Sequence, residues 1–269
     1  MQHYLIQRLL LCIPVVLGVT VIVFAILFLT PGDPVRTMVG PRASEDRVQE
    51  IRSQLGLNQP WPEQYARWLG RAIQGDLGIS IAAKRPVVQL IREQLPFTLS
   101  LTLAAMSIGT LLGVLLGVVA AVKHNTWVDH LITFTSLFWF SMPGFWLGIL
   151  LVLLFAVKLG WFPAGGFPGW HEDEGGGLWD GLHALLLPAF ALAAVQAAIL
   201  ARFTRSALLE VLHEDFVRTA RAKGLGPGAV WWRHVLRNAL VPIVTVIGLQ
   251  AANLVTGTVV IENVFSLPG

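Results

Sequence analysis

Residues 9–32 read LLLCIPVVLGVTVIVFAILFLTPG, a run without a single Asp, Glu, Lys or Arg. A helix rises about 1.5 Å per residue, so about 20 apolar residues cross the hydrocarbon core of a bilayer. The same absence of charge recurs over 94–122, 130–157, 181–201 and 238–261. An isolated charge inside lipid costs several kcal/mol, so these gaps carry meaning. Across all 269 residues only 13% are charged, while 55% are hydrophobic; soluble domains hold roughly a quarter charged residues. The reading is an all-α polytopic membrane protein with five spans, against the alternative of a large soluble core. Residues 1–29 hold the N-terminus and first span, 30–95 a long loop domain, and 96–269 a core of spans two to five with a loop at 205–237. Arg8 could flank a signal peptide, but the apolar run is too long and no small-x-small cleavage site follows it. The single cysteine, Cys12, lies in this first span and excludes an intramolecular disulfide.

Charge in the loops orients the spans. Segment 202–237 contains Arg202, Arg205, Arg218, Arg221, Lys223, Arg233 and Arg237 against Glu210, Glu214 and Asp215. Segment 158–182 has Lys158 against Glu172, Asp173, Glu174 and Asp180. Short loops rich in Lys and Arg stay in the cytoplasm. Loop 202–237 is therefore inside and 158–182 outside. By alternation the Lys123-His124-Asn125 turn is inside, loop 30–95 outside and the N-terminus cytoplasmic. Five spans leave Gly269 outside, so a further span is expected beyond it.

Loop 30–95 opens with TPGDP (30–34), a turn signal. SEDRVQEIRSQLG (44–56) reads as a helix capped by Ser44 and stopped by Gly56. In 59–75, Trp61, Tyr65, Trp68 and Leu69 share one helical face. That face packs on the membrane domain, lies at the lipid interface, or docks another protein. Gly109, Gly113 and Gly117 in the second span are spaced for close helix approach. Pro143-Gly144 predicts a kink in the middle of the third. HEDEGGG (171–177) offers a metal site or, more ordinarily, a solvated acidic loop. In the fifth span Gln250, Asn253 and Gly257 fall on one face, either hydrogen-bonding between helices or lining a path.

Several chemistries have no motif here. No Gly-Lys dipeptide exists for a phosphate-binding loop, and there is no His-Glu-x-x-His or Gly-x-Ser-x-Gly. No catalytic residue, resident cofactor, metal site or nucleic-acid partner is expected. No internal repeat is evident, which weighs against an inverted-repeat secondary transporter.

Between the last two runs lies RTARAKGLGPG (218–228). Residues 204–223 read as one helix leaving the fourth span, with Glu214 and Arg218 four apart in the favourable order. Gly224 fits the left-handed position that ends a helix, and 229–240 starts another. Ala220, Ala222 and Gly224 leave a knob of little bulk bordered by cations. An ordinary lipid-facing basic loop is the plain alternative.

Here the chain resembles the inner-membrane permease subunits of ATP-binding-cassette importers, in the dipeptide/oligopeptide/nickel family, its dipeptide permease B-type subunits in particular. The resemblance is carried by RLLLCIPVVLGVTVIVFAILFLTPGDP (8–34), GDLGIS (75–80), RPV (85–87), LPFTL (95–99) and SMPGFWLGILLVLLFAVKLGWFPAGG (141–166). EDFVRTARAKGL (214–225), RHVLRNALVPIVT (233–245) and IENVFSLPG (261–269) complete it. It implies a type I importer permease fold, with a sixth span after Gly269. It implies a second homologous permease, two cytoplasmic ATPases that bind ATP and Mg, an extracytoplasmic solute-binding protein, and the bilayer of a bacterial-type inner membrane. The family's loop motif, Glu-Ala-Ala then three residues then Gly, falls on Arg218, Thr219, Ala220 and Gly224. The first two depart from the motif, and its Leu-Pro ending is Leu236-Arg237 here. Asp215, Arg218, Thr219, Ala220, Arg221, Lys223, Gly224 and Leu225 are then the expected ATPase-coupling residues. Ser141, Gln250, Asn253 and Gly257 are the candidate translocation path. Short peptides are the expected substrate, with nickel or a metal chelate as the alternative. An ATPase-independent channel or a membrane anchor using loop 30–95 are the competitors from other classes.

Overall fold

The computed structural model describes residues 2–29, 33–40, 42–54, 56–171 and 175–269, which divide into two compact units, Met1–Glu93 and Gln94–Gly269. The described residues are mostly helical, with one isolated bridge between Ile79 and Pro86 and no strand.

In the first unit, α1 (Gln2–Leu29) contains the apolar span Ile6–Ile26, whose side chains are unburied within the chain, as expected of a lipid-facing helix. Of TPGDP, residues 30–32 lie outside the described residues. Asp33-Pro34 starts a helix instead of a turn: Asp33 accepts the Val35 N–H at 3.0 Å and Pro34 takes the first position of α2 (Pro34–Val39). The helix read at 44–56 is α3 (Glu45–Gln54). Gly56 ends it at φ +70°, while the Leu57 N–H bonds back to the Arg52 carbonyl at 2.9 Å. In α4 (Trp61–Ile73) the aromatic face lies on the first span. Tyr65 pairs its hydroxyl with Thr20 at 2.9 Å and meets the Phe24 ring edge-on at 5.5 Å. Of the readings offered for that face, packing on a membrane span is the one observed.

The second unit is built around α8 (Leu178–Leu212), which is 72% buried over its apolar window. Against it pack α5 (Val87–Val122), α6 (Trp127–Ser141), α7 (Gly144–Leu151) and α11 (Leu236–Val264). The glycine stripe of α5 does what its spacing suggests. A Cβ on Gly113 would stand 2.9 Å from the Ala197 carbonyl oxygen, and one on Gly117 2.7 Å from that of Ala201. The two backbones touch, and only glycine allows it.

The third apolar run is broken rather than kinked. α6 and the continuation Gly144–Lys158, a π-helical turn from Val152 onward, meet at 99°. Pro143 has no N–H to give to α6, and a residue before proline is driven out of the helical region. Met142 accordingly sits at φ −84°, ψ 130°, and α7 restarts with Pro143 as its N-cap. Among the described residues, four helices can by length and composition cross a membrane, or five if this bent pair is one span.

The Gly/Pro-rich loop before α8 is pinned by aromatics. Phe162, Phe167 and Trp170 pack on the core, and Phe167 meets Phe97 of α5 edge-on at 4.8 Å. Of the candidate metal stretch, Glu172, Asp173 and Glu174 lie outside the described residues. His183 donates from Nε2 to the Trp161 carbonyl at 2.9 Å.

Candidate functional site

The single helix expected over 204–223 is two helices. α8 ends at Leu212, Glu214 is extended at ψ 147°, and α9 (Asp215–Ala222) begins anew. Carboxylates explain the division. Glu214 and Asp215 are unfavourable at a helix C-terminus and favourable at an N-terminus, where the dipole is positive. Arg218 consequently pairs with Asp215, at 3.5 Å, and not with Glu214.

α9 has two faces. Val217 (0% exposed) and Ala220 (5%) are one turn apart and buried with Ala121 of α5, Ala207 and Leu208 of α8, and Ala239 and Ile243 of α11. Asp215, Phe216, Arg218, Thr219, Arg221, Ala222, Lys223 and Gly224 are exposed, and Leu225 is half-buried. Ala220 therefore fixes the helix to its own protein, and the outward knob consists of Ala222 and Gly224 among the cations. Gly224 stands at φ +80° with nothing within 4 Å of a Cβ, so backbone conformation alone demands glycine. The Leu225 N–H then bonds to the Ala220 carbonyl at 3.3 Å, closing the helix end. After Gly226, Pro227 opens α10 (Pro227–Val230), and a π turn at Trp231–Val235 leads into α11. The arrangement is a short, cationic, pre-ordered helix held at both ends, able to seat in a groove on another protein.

The second element is a cavity of about 390 Å³ between α8, α11 and the broken span. Gln250, Asn253 and Gly257 line it from α11, as one face should. Asn253 donates from Nδ2 to Gln250 Oε1 at 3.2 Å, leaving the Asn253 oxygen and the Gln250 amide nitrogen for a guest. Gly257 and Gly144 have nothing within 4 Å of a Cβ, so both leave the wall open. Ser141 is exposed and donates to the Leu137 carbonyl at 2.8 Å; its neighbours Met142 and Gly144 reach the cavity instead. The sequence reading missed Gln196. It lines the cavity from α8, is 2% exposed, lies 3.4 Å from the Thr110 hydroxyl, and keeps Oε1 without a hydrogen-bond partner. An isolated carboxamide inside the apolar run 181–201 was the available signal.

Comparison with known proteins shows the family to which the chain belongs. Residues 113–269 match the family described as binding-protein-dependent transport system inner membrane component. Residues 1–102 match the N-terminal family of the same transport-system membrane components. The chain is 41% identical over 270 residues to the oligopeptide transport system permease protein AppB of Bacillus subtilis, covering all of this chain and 85% of that protein. It is 40% identical over 285 residues to the dipeptide transport system permease protein DppB of Alkalihalophilus pseudofirmus, covering all of this chain and 86% of the relative. It is 41% identical over 269 residues to the glutathione transport system permease protein GsiC of an Escherichia coli strain, covering all of this chain and 84% of the relative.

Proposed function

Because the chain belongs to the family of inner-membrane components of binding-protein-dependent transport systems, we propose that it is the permease subunit of an ATP-driven peptide importer. It forms one wall of the path, beside a second homologous permease. Two ATPases stand on the cytoplasmic side, where they bind ATP and Mg, and an extracytoplasmic protein delivers the solute. The positive loop 202–237 lies in the cytoplasm and the N-terminus with it. Residues 1–29, 30–95 and 96–269 act as first span, extracytoplasmic loop domain and permease core.

The observation that carries this reading is the two-faced α9. Val217 and Ala220 anchor it in the core while Asp215, Arg218, Thr219, Arg221, Lys223 and Gly224 face outward. An ATPase that grips this face moves α9, and the buried face passes the motion to α5, α8 and α11. ATP binding then shifts the population between two packings of the spans, inward- and outward-open. Peptides are favoured over nickel by the carboxamides of Gln250 and Asn253, which suit main-chain amides, and by the peptide names of the relatives.

Gly224→Asp tests it. The substitution imposes a left-handed backbone on a residue with a Cβ, at a cost of about 1–2 kcal/mol, and adds an anion to the docking knob. Uptake of a labelled tripeptide should be abolished while the protein still inserts at normal level. Normal uptake by a well-expressed variant would remove α9 from the mechanism.

A further inference from the structure

Asp129 lies in the first turn of α6 and is fully buried at 0% exposure, although the turn before it, Lys123-His124-Asn125, is polar and exposed. Its carboxylate is held from every side. The Asn125 backbone N–H donates to Oδ2 at 3.0 Å. Arg205 of α8 donates from Nε to Oδ1 at 2.6 Å and from Nη2 to Oδ2 at 2.8 Å. His124 Nδ1 lies 3.3 Å from Oδ2 and 3.2 Å from the same guanidinium nitrogen. A two-pronged fork between a guanidinium and a carboxylate fixes direction as well as distance. Burying such a pair adds little net stability, because desolvation offsets the attraction. Its contribution is a single geometry for the two elements it joins.

Those elements sit between the two functional features. Ala207 and Leu208, just beyond Arg205 on α8, share an apolar cluster with Val217 and Ala220 of α9. In the other direction α6 runs from Asp129 to Ser141, and the next residue, Met142, lines the cavity at the break. The interior of α6 is helical throughout, so the Met142–Pro143 break is where it can turn relative to α7.

We propose that the Asp129–Arg205 pair locks the α5–α6 turn to the α8–α9 platform, so that a displacement of α9 swings α6 about the Met142–Pro143 break and reshapes the cavity. Both are positioning residues, acting through α6 on the path. The inference deepens the permease reading and rests on α9 being the element an ATPase moves.

The test uses the assembled transporter in nanodiscs and in proteoliposomes, with Cys12→Ser removing the one thiol of this chain and with cysteine-free partner subunits. Spin labels at Trp127→Cys at the start of α6 and Ala222→Cys on α9, both exposed positions, report the distance across the clamp. In this background the distance should be single and narrow, and the same without nucleotide and in the ATP-trapped state. Asp129→Asn should broaden it and lower uptake of a labelled tripeptide about ten-fold while ATP hydrolysis continues. The swap Asp129→Arg with Arg205→Asp should restore the narrow distance and part of the uptake. In complexes that do assemble, a purely structural role would instead lower hydrolysis and uptake in parallel with the distance unchanged, and that pattern overturns the proposal. So does a background distance that changes on ATP trapping, or an Asp129→Asn variant indistinguishable from background. Where Asp129→Asn does not assemble, Arg205→Lys keeps the charge without the fork and decides by the same distance. Absence of tripeptide uptake in the unsubstituted complex would refute the peptide reading, while the distance measurement still decides the clamp.

Discussion

Helix α8 and the pair α6–α7 both contain proline, and they differ in what surrounds it. Pro188 lies inside α8, which remains one helix of 35 residues. Pro143 ends one helix and begins another at 99°. Leu and Ala flank Pro188, which is buried among the residues that α5, α7 and α11 cover. Gly144 follows Pro143, adding about 1 kcal/mol against helix continuation, and it faces open space at the cavity. Pro14, Pro96 and Pro242 are exposed and still lie inside continuous helices, so burial alone does not decide; the joint forms where glycine follows the proline and faces open space. The packed helix is the centre of the unit, and the clamp proposed above makes the broken pair its movable part.

The contrast can be attacked from the packed side first. Gly113→Leu places a side chain where a Cβ alone would be 2.6 Å from Leu200 Cβ. The overlap is against backbone as well, so a loss of about 3 kcal/mol or more is expected, read as loss of folded, extractable protein. Pro143→Ala comes next. It restores an N–H and removes the ring, so labels on α6 and α7 should report a wider angle, with uptake reduced and insertion preserved. Gly257→Leu fills the open wall of the cavity, and a smaller, few-fold fall in tripeptide uptake with intact ATP hydrolysis is expected. Pro188→Ala should do least, with stability within about 1 kcal/mol of the parent, because α8 is already one continuous helix through that position. A large effect of Pro188→Ala beside a silent Pro143→Ala would invert the comparison.

Much of this was legible before any coordinates. Charge-free runs located the apolar helices, because the cost of an unpaired charge in lipid suppresses every exception. The four-residue glycine spacing marked the face of α5 that takes a close helix, although it did not name α8 as the partner. Gly224 was legible for the same kind of reason: its conformation is local. Residues whose meaning depends on a partner far along the chain were not. Asp129 and Arg205 are 76 positions apart, and each alone looks like an ordinary charge at a span end. Ala220 belongs to a small-residue knob in sequence, yet it points into the core, because the break at His213-Glu214 rotates α9 relative to α8. The severity of the Pro143 break was understated, since a proline signal gives the place of a defect and only packing gives its angle. Ser141 turns back on its own helix, donating to the Leu137 carbonyl, while Met142 beside it lines the cavity.

The account turns on α9 being gripped by an ATPase. A photo-crosslinking amino acid in place of Arg218, whose side chain is 71% exposed, tests this directly in the native membrane. A second probe replaces Trp179, 80% exposed and at the start of α8. The account predicts an adduct with an ATPase subunit from position 218 and none from position 179. No ATPase adduct from position 218, in membranes where the importer is assembled and active, would contradict it.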